Sequence, residues 1–116
     1  GVLVREAEFV KGMPNGNLTE FYSDGKVKKM TPFTEGKPEG KEISYFHNGK
    51  EQHIKTFANG KLHGLSKSFN ENNILIFEAE YKDGLKHGIF NKYRDDGRPK
   101  LFQRYEEDKR VDKKTF

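Results

Sequence analysis

The sequence contains no cysteine and no long run of apolar residues. Without cysteine, disulfide bonds and thiolate metal sites are excluded, but the redox compartment stays open because a cysteine-free chain suits the cytosol and export alike. No apolar segment approaches the ~18 residues that a membrane-spanning helix needs, and none has the charged-then-apolar order of a signal peptide. We expect a soluble protein, either cytoplasmic or exported with its N-terminal segment removed.

Hydrophobic residues of all kinds are scarce. They make up 32% of the 116 residues, against 34% charged residues, yet ten Phe and five Tyr bring the aromatic share to 13%. A disordered chain is poor in aromatic residues, so these rings indicate one folded domain with a thin aromatic core. The net charge of +4 arises from interspersed charges of both signs and excludes no class of partner.

In place of long apolar runs the chain has a gapless internal repeat of 24 residues. All twelve glycines fall into three columns of this repeat, and nine aromatic residues fall into two more. The glycine columns are Gly12, Gly36, Gly60 and Gly84; Gly16, Gly40, Gly64 and Gly88; and Gly1, Gly25, Gly49 and Gly97. The aromatic columns are Phe9, Phe33, Phe57, Tyr81 and Tyr105, followed by Phe21, Tyr45, Phe69 and Tyr93. Where a glycine is missing, Asn or Asp stands in its place, and both tolerate positive φ.

Each unit reads as two short strands joined by turns, which predicts an all-β fold. Asp24-Gly25, Asn48-Gly49 and Asp96-Gly97 predict type I′ hairpins, and Asn59-Gly60 starts a longer turn that ends near Gly64. Strands are expected near residues 2–9, 17–22, 26–33, 41–46, 50–57, 65–70, 74–81, 89–94 and 98–105, with a tenth near Lys113. Because tight turns join consecutive strands, we predict an elongated, open antiparallel β-meander. It forms one domain with a partial unit at 1–8, full units at 9–32, 33–56, 57–80 and 81–104, and a partial unit or cap at 105–116.

Alternation along the strands predicts two different faces. Both aromatic columns are expected on one buried face, and the other face is expected to be mostly polar. Tyr22, Phe46, Met30 and Ile54 interrupt that polar face in the first half of the chain. An exposed apolar patch of this kind often marks an interface, so these four residues are the candidate partner-binding site. The alternative is that they pack under a turn or form a second small core.

The spacing Tyr81-x-x-Gly84-x-x-x-Gly88-x-x-x-x-Tyr93-x-x-x-Gly97, with its counterpart beginning at Phe57, resembles the MORN repeat. It resembles more closely the slightly longer bacterial MORN-variant repeat, and the resemblance covers nearly the whole chain. The departures are Phe in the leading aromatic column of the earlier units and Asn73 at a turn glycine. The resemblance implies an elongated antiparallel β-meander that acts as a binding module and has no catalytic residues. Among relatives it implies protein partners, membrane association and, in some bacterial proteins, an antitoxin-like role.

The sequence contains no group of residues that would indicate catalysis or metal binding. His63 and His87 share a column one unit apart, which places them about 10 Å apart at ~4.8 Å per strand, too far to share a zinc ion bound at ~2.0–2.1 Å. The Gly-x-x-x-Gly pairs lack the helix that a phosphate-binding loop requires. Ser44 and Ser68 are in register along the sheet, without an evident base. We predict no catalytic residue, no metal and no cofactor.

Basic residues flank the turns and define a candidate basic rim. The rim consists of Lys26, Lys50, Arg98, Lys37 and Lys61. Two interpretations stay open, because such a rim either keeps the sheet solvated or attracts an anionic lipid surface. Nucleic acid is not expected, since most aromatic rings belong to the core columns and are not available to stack on bases.

The apolar Val2-Leu3-Val4 segment predicts an exposed edge strand. Such an edge invites pairing, so we expect either further chain upstream or self-association through this edge. Taken together, the sequence favours a non-enzymatic scaffold that binds another protein, with an antitoxin-like role as its narrower form. The alternative is peripheral binding to anionic membranes through the basic rim.

Overall fold

The structure, a computed structural model, describes the backbone of residues 5–116 and the side chains of residues 9–116. Twelve strands of the described part form one antiparallel sheet; ten of them follow the order β1-β2-β3-β5-β6-β8-β9-β10-β11-β12, while β4 pairs with β3 and β7 with β6. The strands are β1 (Arg5–Val10), β2 (Met13–Phe21), β3 (Val27–Thr34), β4 (Lys37–Pro38), β5 (Gly40–Tyr45), β6 (Glu51–Ala58), β7 (Lys61–Leu62), β8 (Gly64–Phe69), β9 (Leu75–Lys82), β10 (Leu85–Tyr93), β11 (Pro99–Glu106) and β12 (Lys109–Thr115). Neighbours in the sheet follow the chain order, so the predicted open antiparallel meander is confirmed. The predicted edge segment Val2-Leu3-Val4 lies outside the described residues.

Two-residue turns form one edge of the sheet, and the predicted strand boundaries next to these turns are wrong. Ala58 pairs with Lys61 across Asn59-Gly60, and both turn residues have positive φ, +52° and +81°. This is a type I′ turn, so pairing resumes at once and creates the short strands β4 and β7. For the same reason β12 starts at Lys109 and not near Lys113.

Backbone hydrogen bonds join these type I′ turns to one another. From the turn at Gly36 onward, the second residue of the turn donates its N–H to a carbonyl of the preceding unit, as Gly60 does to Pro38 at 3.0 Å and Gly84 to Leu62 at 2.8 Å. Where aspartate replaces glycine, Asp108 makes the same bond to Lys86 at 2.8 Å. Backbone hydrogen bonds between successive turns therefore stabilise the repeat along this edge, and they do not depend on side-chain identity.

The opposite edge has turns of another type, and the type I′ prediction for them is wrong. In the first of them, Gly25 donates to the carbonyl of Tyr22 at 2.9 Å and Tyr22 donates to that of Lys26 at 2.8 Å. Gly25 has a φ of +89°, whereas Asp24 is not among the residues with positive φ. This is a type I turn closed by a glycine bulge. The Asp24 side chain accepts from the Lys26 N–H instead, and this bond, as the main cause, lowers the pKa of Asp24.

The second glycine column marks a bulge on the strand that follows each type I′ turn. Around Gly88, residues 87–89 of β10 lie opposite the single residue Glu80 of β9. Gly88 has a φ of +103° and Gly64 one of +98°, a region that side chains other than glycine rarely adopt. Glycine is needed here for the backbone conformation, so the second glycine column has a structural role in the bulge.

The two faces of the sheet follow from the cross-strand register, because directly paired residues share a face. We call one face the Met30 face and the other the Ala79 face, each after one residue of the row of paired residues that crosses it. The Met30 face carries Met30, Ile43, Ile54, Lys67, Glu78, Asn91 and Phe102. The Ala79 face carries Ser66, Ala79, Phe90 and Gln103.

The expectation that both aromatic columns share one buried face is wrong. Tyr105 packs against Phe90 on the Ala79 face, with ring centroids 5.4 Å apart, whereas Tyr93 packs against Phe102 on the Met30 face at 5.7 Å. The two-residue turns pair odd-numbered residues with even-numbered ones, as Ala58 with Lys61. A pairing that keeps odd-numbered residues together across the turn is therefore one residue out of register, and a one-residue shift moves every side chain to the other face.

The sheet is a single layer, with extents of 48 × 31 × 14 Å. Among the described side chains, Ala79 is the one fully buried hydrophobic residue, and the column residue Phe9 is 63% exposed. The core is thus thinner than the aromatic content suggested, and most apolar side chains are half-buried. Because no second layer covers the described part of the sheet, apolar side chains on either face can contact another molecule.

Candidate functional site

Apolar side chains on neighbouring strands form one row on the Met30 face. Met30 of β3 pairs with Ile43 of β5, which pairs with Ile54 of β6. At ~4.8 Å per strand the row, which we call the apolar row, spans about 10 Å. All three side chains are half-buried, so each still offers apolar surface to a partner.

The apolar row opens at one end into a shallow depression between two turns. Its floor is formed by Val27, Met30 and Tyr45, and the turns at Gly25 and Gly49 form its walls. The glycine bulges place these turns on either side of the depression.

The structure separates the four residues of the predicted site. Met30 and Ile54 lie together in the apolar row, but Tyr22 lines a depression with Lys29 and Ser44, residues of the Ala79 face. The Tyr22 hydroxyl donates to the carbonyl of Tyr45 at 2.7 Å, which ties one unit to the next. The expectation of one four-residue patch is therefore wrong.

Phe46 occupies the same repeat position as Tyr22, one unit later. It lies beside a turn, next to Lys26, His47, Asn48 and Glu71, and its side chain is half-buried. This placement matches the alternative of packing near a turn.

Sequence reasoning missed Ile43, Val27 and Tyr45 as neighbours of Met30. A two-residue loop at Glu35-Gly36 pairs residues of β3 with residues of opposite parity on β5, which places Ile43 beside Met30. The dipeptide alone does not determine this loop type.

Polar side chains form the corresponding row on the Ala79 face of the same half. This polar row consists of Lys29, Ser44, His53 and Ser68. His53 Nδ1 lies 2.7 Å from the Ser68 hydroxyl. Burial, and after it the charge of Lys55, lowers the pKa of His53. The Ser44 hydroxyl oxygen is buried and finds no hydrogen-bond partner within the described part of the chain.

The Ala79 face becomes apolar in the C-terminal half. Phe90 packs edge-on against Phe77, with centroids 5.0 Å apart, and against Tyr105. Lys86 Nζ lies over both Phe90 and Tyr105, 4.7 and 5.0 Å from their centroids. We call Phe77, Phe90 and Tyr105 the aromatic cluster.

The Met30 face of the C-terminal half is more polar. Glu78 Oε1 accepts from the Tyr93 hydroxyl at 2.6 Å and from the Asn91 amide at 3.3 Å. Burial first, and then the bond to Glu78, raises the pKa of Tyr93. The hydroxyl therefore stays protonated and acts as a structural donor.

The five residues of the candidate basic rim are exposed but divided between the two edges. Lys26, Lys50 and Arg98 follow the bulged turns, whereas Lys37 and Lys61 follow the type I′ turns. Arg98 Nε is 2.7 Å from Asp96 Oδ2, and the stem of Lys37 passes beside Gly60 in the next turn. The rim is thus two separate strips on opposite edges.

The two histidines that share a column serve the type I′ edge. His63 Nδ1 accepts from the N–H of Asp83 at 3.3 Å, and His87 Nδ1 from that of Glu107 at 3.4 Å. Two units before His63 the same position is held by Asn15, whose amide oxygen accepts from the Glu35 N–H, and one unit before it by Glu39, whose carboxylate accepts from the Asn59 N–H. Among residues 5–116, no group of three or more His, Asp or Glu side chains is arranged to hold a metal ion.

The fold and these surfaces define an all-β protein built from repeated hairpins. A family model described as "MORN repeat variant" matches residues 14–35 and 62–83, two stretches whose starts lie two 24-residue periods apart. These two stretches are MORN-variant repeats, and their matches support a MORN-variant repeat protein. MORN repeats are non-catalytic modules that generally bind proteins or membranes. The bacterial and antitoxin-like parts of the resemblance are not tested by these matches and stay predictions.

A comparison with solved structures matched, among others, one titled "Crystal Structure of TarM". It aligns at 13% identity and a TM-score of 0.42, over 90% of this chain and 17% of that chain. This chain thus spans about a sixth of that protein chain. A search of curated proteins found no match. Within residues 5–116, no helix has the length and hydrophobicity to cross a membrane.

Proposed function

We propose that the protein is a non-enzymatic scaffold that binds another protein through the Met30 face of its N-terminal half. The observation that supports this proposal is the apolar row, which no second layer covers within the described residues. Interfaces are centred on apolar side chains that become fully desolvated. The depression floored by Val27, Met30 and Tyr45 provides such a centre.

The test compares proteins captured from a lysate of the host by wild type and by Met30→Ser/Ile54→Ser, with identification by mass spectrometry. The control is Leu18→Ser, which removes a half-buried aliphatic side chain from the Ala79 face of the same half. We expect a partner that wild type and Leu18→Ser retain and that the double variant loses. Equal capture by all three proteins, each shown to be folded by circular dichroism, would refute the assignment.

An antitoxin-like role is one form of this function, in which the captured protein is a toxin. Rescue of growth when the two proteins are co-expressed, and its loss in Met30→Ser/Ile54→Ser, is the expected outcome for that form.

Peripheral binding to anionic membranes is the second candidate. The exposed rim residues favour it. However, these residues are divided between two edges, and Asp96 pairs with Arg98, so neither edge offers a large continuous basic surface. Sedimentation with anionic vesicles separates the two candidates, because lipid binding of this kind fades with salt. Binding through the apolar row does not require anionic head groups.

A further inference from the structure

The apolar row is bordered by lysines on the same face. Lys67 of β8 pairs with Ile54 and so extends the row by one strand, and Lys41 precedes Ile43 by two residues on β5. Lys26 lines the depression at the other end of the row. Positive charge thus lies beside apolar surface along the whole row.

Among the described residues, two of these lysines have ammonium groups outside any ion pair. Neither Lys41 nor Lys67 forms one within the described part of the chain, whereas the charge of Lys26 acts on the Asp24 carboxylate. Glu78 is the residue paired with Lys67 in the register, but its Oε1 is bound by the Tyr93 hydroxyl and the Asn91 amide. Glu51, which pairs with Tyr45 at the turn end of β6, is a further carboxylate near this surface.

From this charge distribution we infer that the partner surface is an acidic protein segment that carries apolar side chains. Its apolar side chains cover the apolar row and the depression, and its carboxylates lie over Lys41 and Lys67. This inference rests on the proposed function and specifies the chemistry of its partner. Complementary charges mainly set specificity and the rate of association, while the apolar contacts hold the complex.

Selection of random peptides displayed on phage tests the inference without a known partner. The immobilised proteins are wild type, Met30→Ser/Ile54→Ser, Lys41→Glu/Lys67→Glu and Leu18→Ser as the control. We expect wild type and Leu18→Ser to enrich peptides that combine apolar residues with Asp or Glu. Synthetic copies of these peptides should not bind Met30→Ser/Ile54→Ser.

Charge dependence is then measured with the same synthetic peptides by fluorescence anisotropy. Affinity for Lys41→Glu/Lys67→Glu should fall about 2- to 30-fold, the loss expected for two exposed charge pairs. Wild-type affinity should fall similarly when the salt concentration rises to about 1 M, where the Debye length is ~3 Å. The salt series needs no variant, so a variant that fails to fold leaves the test intact.

Each alternative occupant predicts a different outcome. Peptides that need Met30 and Ile54 but show no acidic preference overturn the inference and leave the proposed function standing. Binding that ignores Met30 and Ile54, or no enrichment at all, contradicts both. Anionic vesicles that bind through Lys41 and Lys67 independently of Ile54 identify a membrane surface, and a dimer that Met30→Ser/Ile54→Ser dissociates identifies a second copy; either result overturns the inference.

Discussion

The N-terminal and C-terminal halves of the sheet share a backbone repeat but differ in the side chains that cross the middle of each face. In the N-terminal half the apolar row lies on the Met30 face and the polar row on the Ala79 face. In the C-terminal half the aromatic cluster lies on the Ala79 face, while Glu78 and Asn91 occupy the Met30 face. The glycines and turns repeat in both halves, so the difference lies in the side chains alone.

This difference shows that the repeat specifies the backbone without specifying which face is apolar. Hydrogen bonds between turns and ladders between strands hold the sheet in either half. Side chains on the faces are then free to differ, and a binding surface can arise on one half while the other half contributes stability. The predictions below test this division, beginning with the largest expected effect.

Phe90→Ala should destabilise the protein by about 3 kcal/mol, because it removes a half-buried ring and its contacts with Phe77 and Tyr105. The matched control is Glu42→Ala, two units earlier in the same column. Glu42 accepts a hydrogen bond from the Thr31 hydroxyl, so its loss should cost about 1 kcal/mol. Urea unfolding measures both values, and equal losses would show that the two halves do not differ in this way.

Gly88→Ala should cost about 2 kcal/mol, since alanine at a φ of +103° is strained. The added methyl group would also lie 2.7 Å from Glu80 Oε1, which accepts from the Ile89 N–H. Gly64→Ala is the control one unit earlier, where the nearest atom is Thr56 Cγ2 at 3.6 Å. We expect a smaller loss there in urea unfolding. A Gly64→Ala loss as large as that of Gly88→Ala would mean that backbone strain alone determines the cost.

The sequence was sufficient to predict the repeat and the meander, because glycine and aromatic columns recur without gaps. It was insufficient for the faces, because those depend on register. Asn59-Gly60 and Asn48-Gly49 are the same dipeptide, yet one forms a type I′ turn and the other a bulged type I turn. The difference lies in the pairing of the flanking strands, which a local dipeptide does not encode.

The candidate site was predicted in part for the same reason. Met30 and Ile54 are one full period apart, so they share a face whatever the register. Tyr22 lies just beyond the end of β2 and at another position of the repeat, so its assignment to that face required the register. Its hydrogen bond to the Tyr45 carbonyl is a tertiary contact that the local sequence pattern does not predict.

His63→Leu should cost up to about 1 kcal/mol, the value of one exposed hydrogen bond from the Asp83 N–H. His63→Asn should restore the acceptor, because Asn15 performs this role in an earlier unit. Differential unfolding in urea and the exchange rate of the Asp83 amide proton measure the two effects. If leucine and asparagine protect that amide equally, the histidine is not acting as an acceptor.

The smallest effect concerns pH and the polar row. The pKa of His53 is lowered in the folded protein, chiefly by burial and then by the charge of Lys55, so the unfolded chain takes up a proton first on acidification. The resulting stability is present above the unfolded pKa of about 6.5 and is lost as the pH falls toward the folded value. Because the side chain is exposed in part, we expect unfolding between about pH 7.5 and pH 5.5 to be linked to less than one proton. His53→Gln should flatten that part of the profile, and a variant profile that matches wild type would place the titrating group elsewhere.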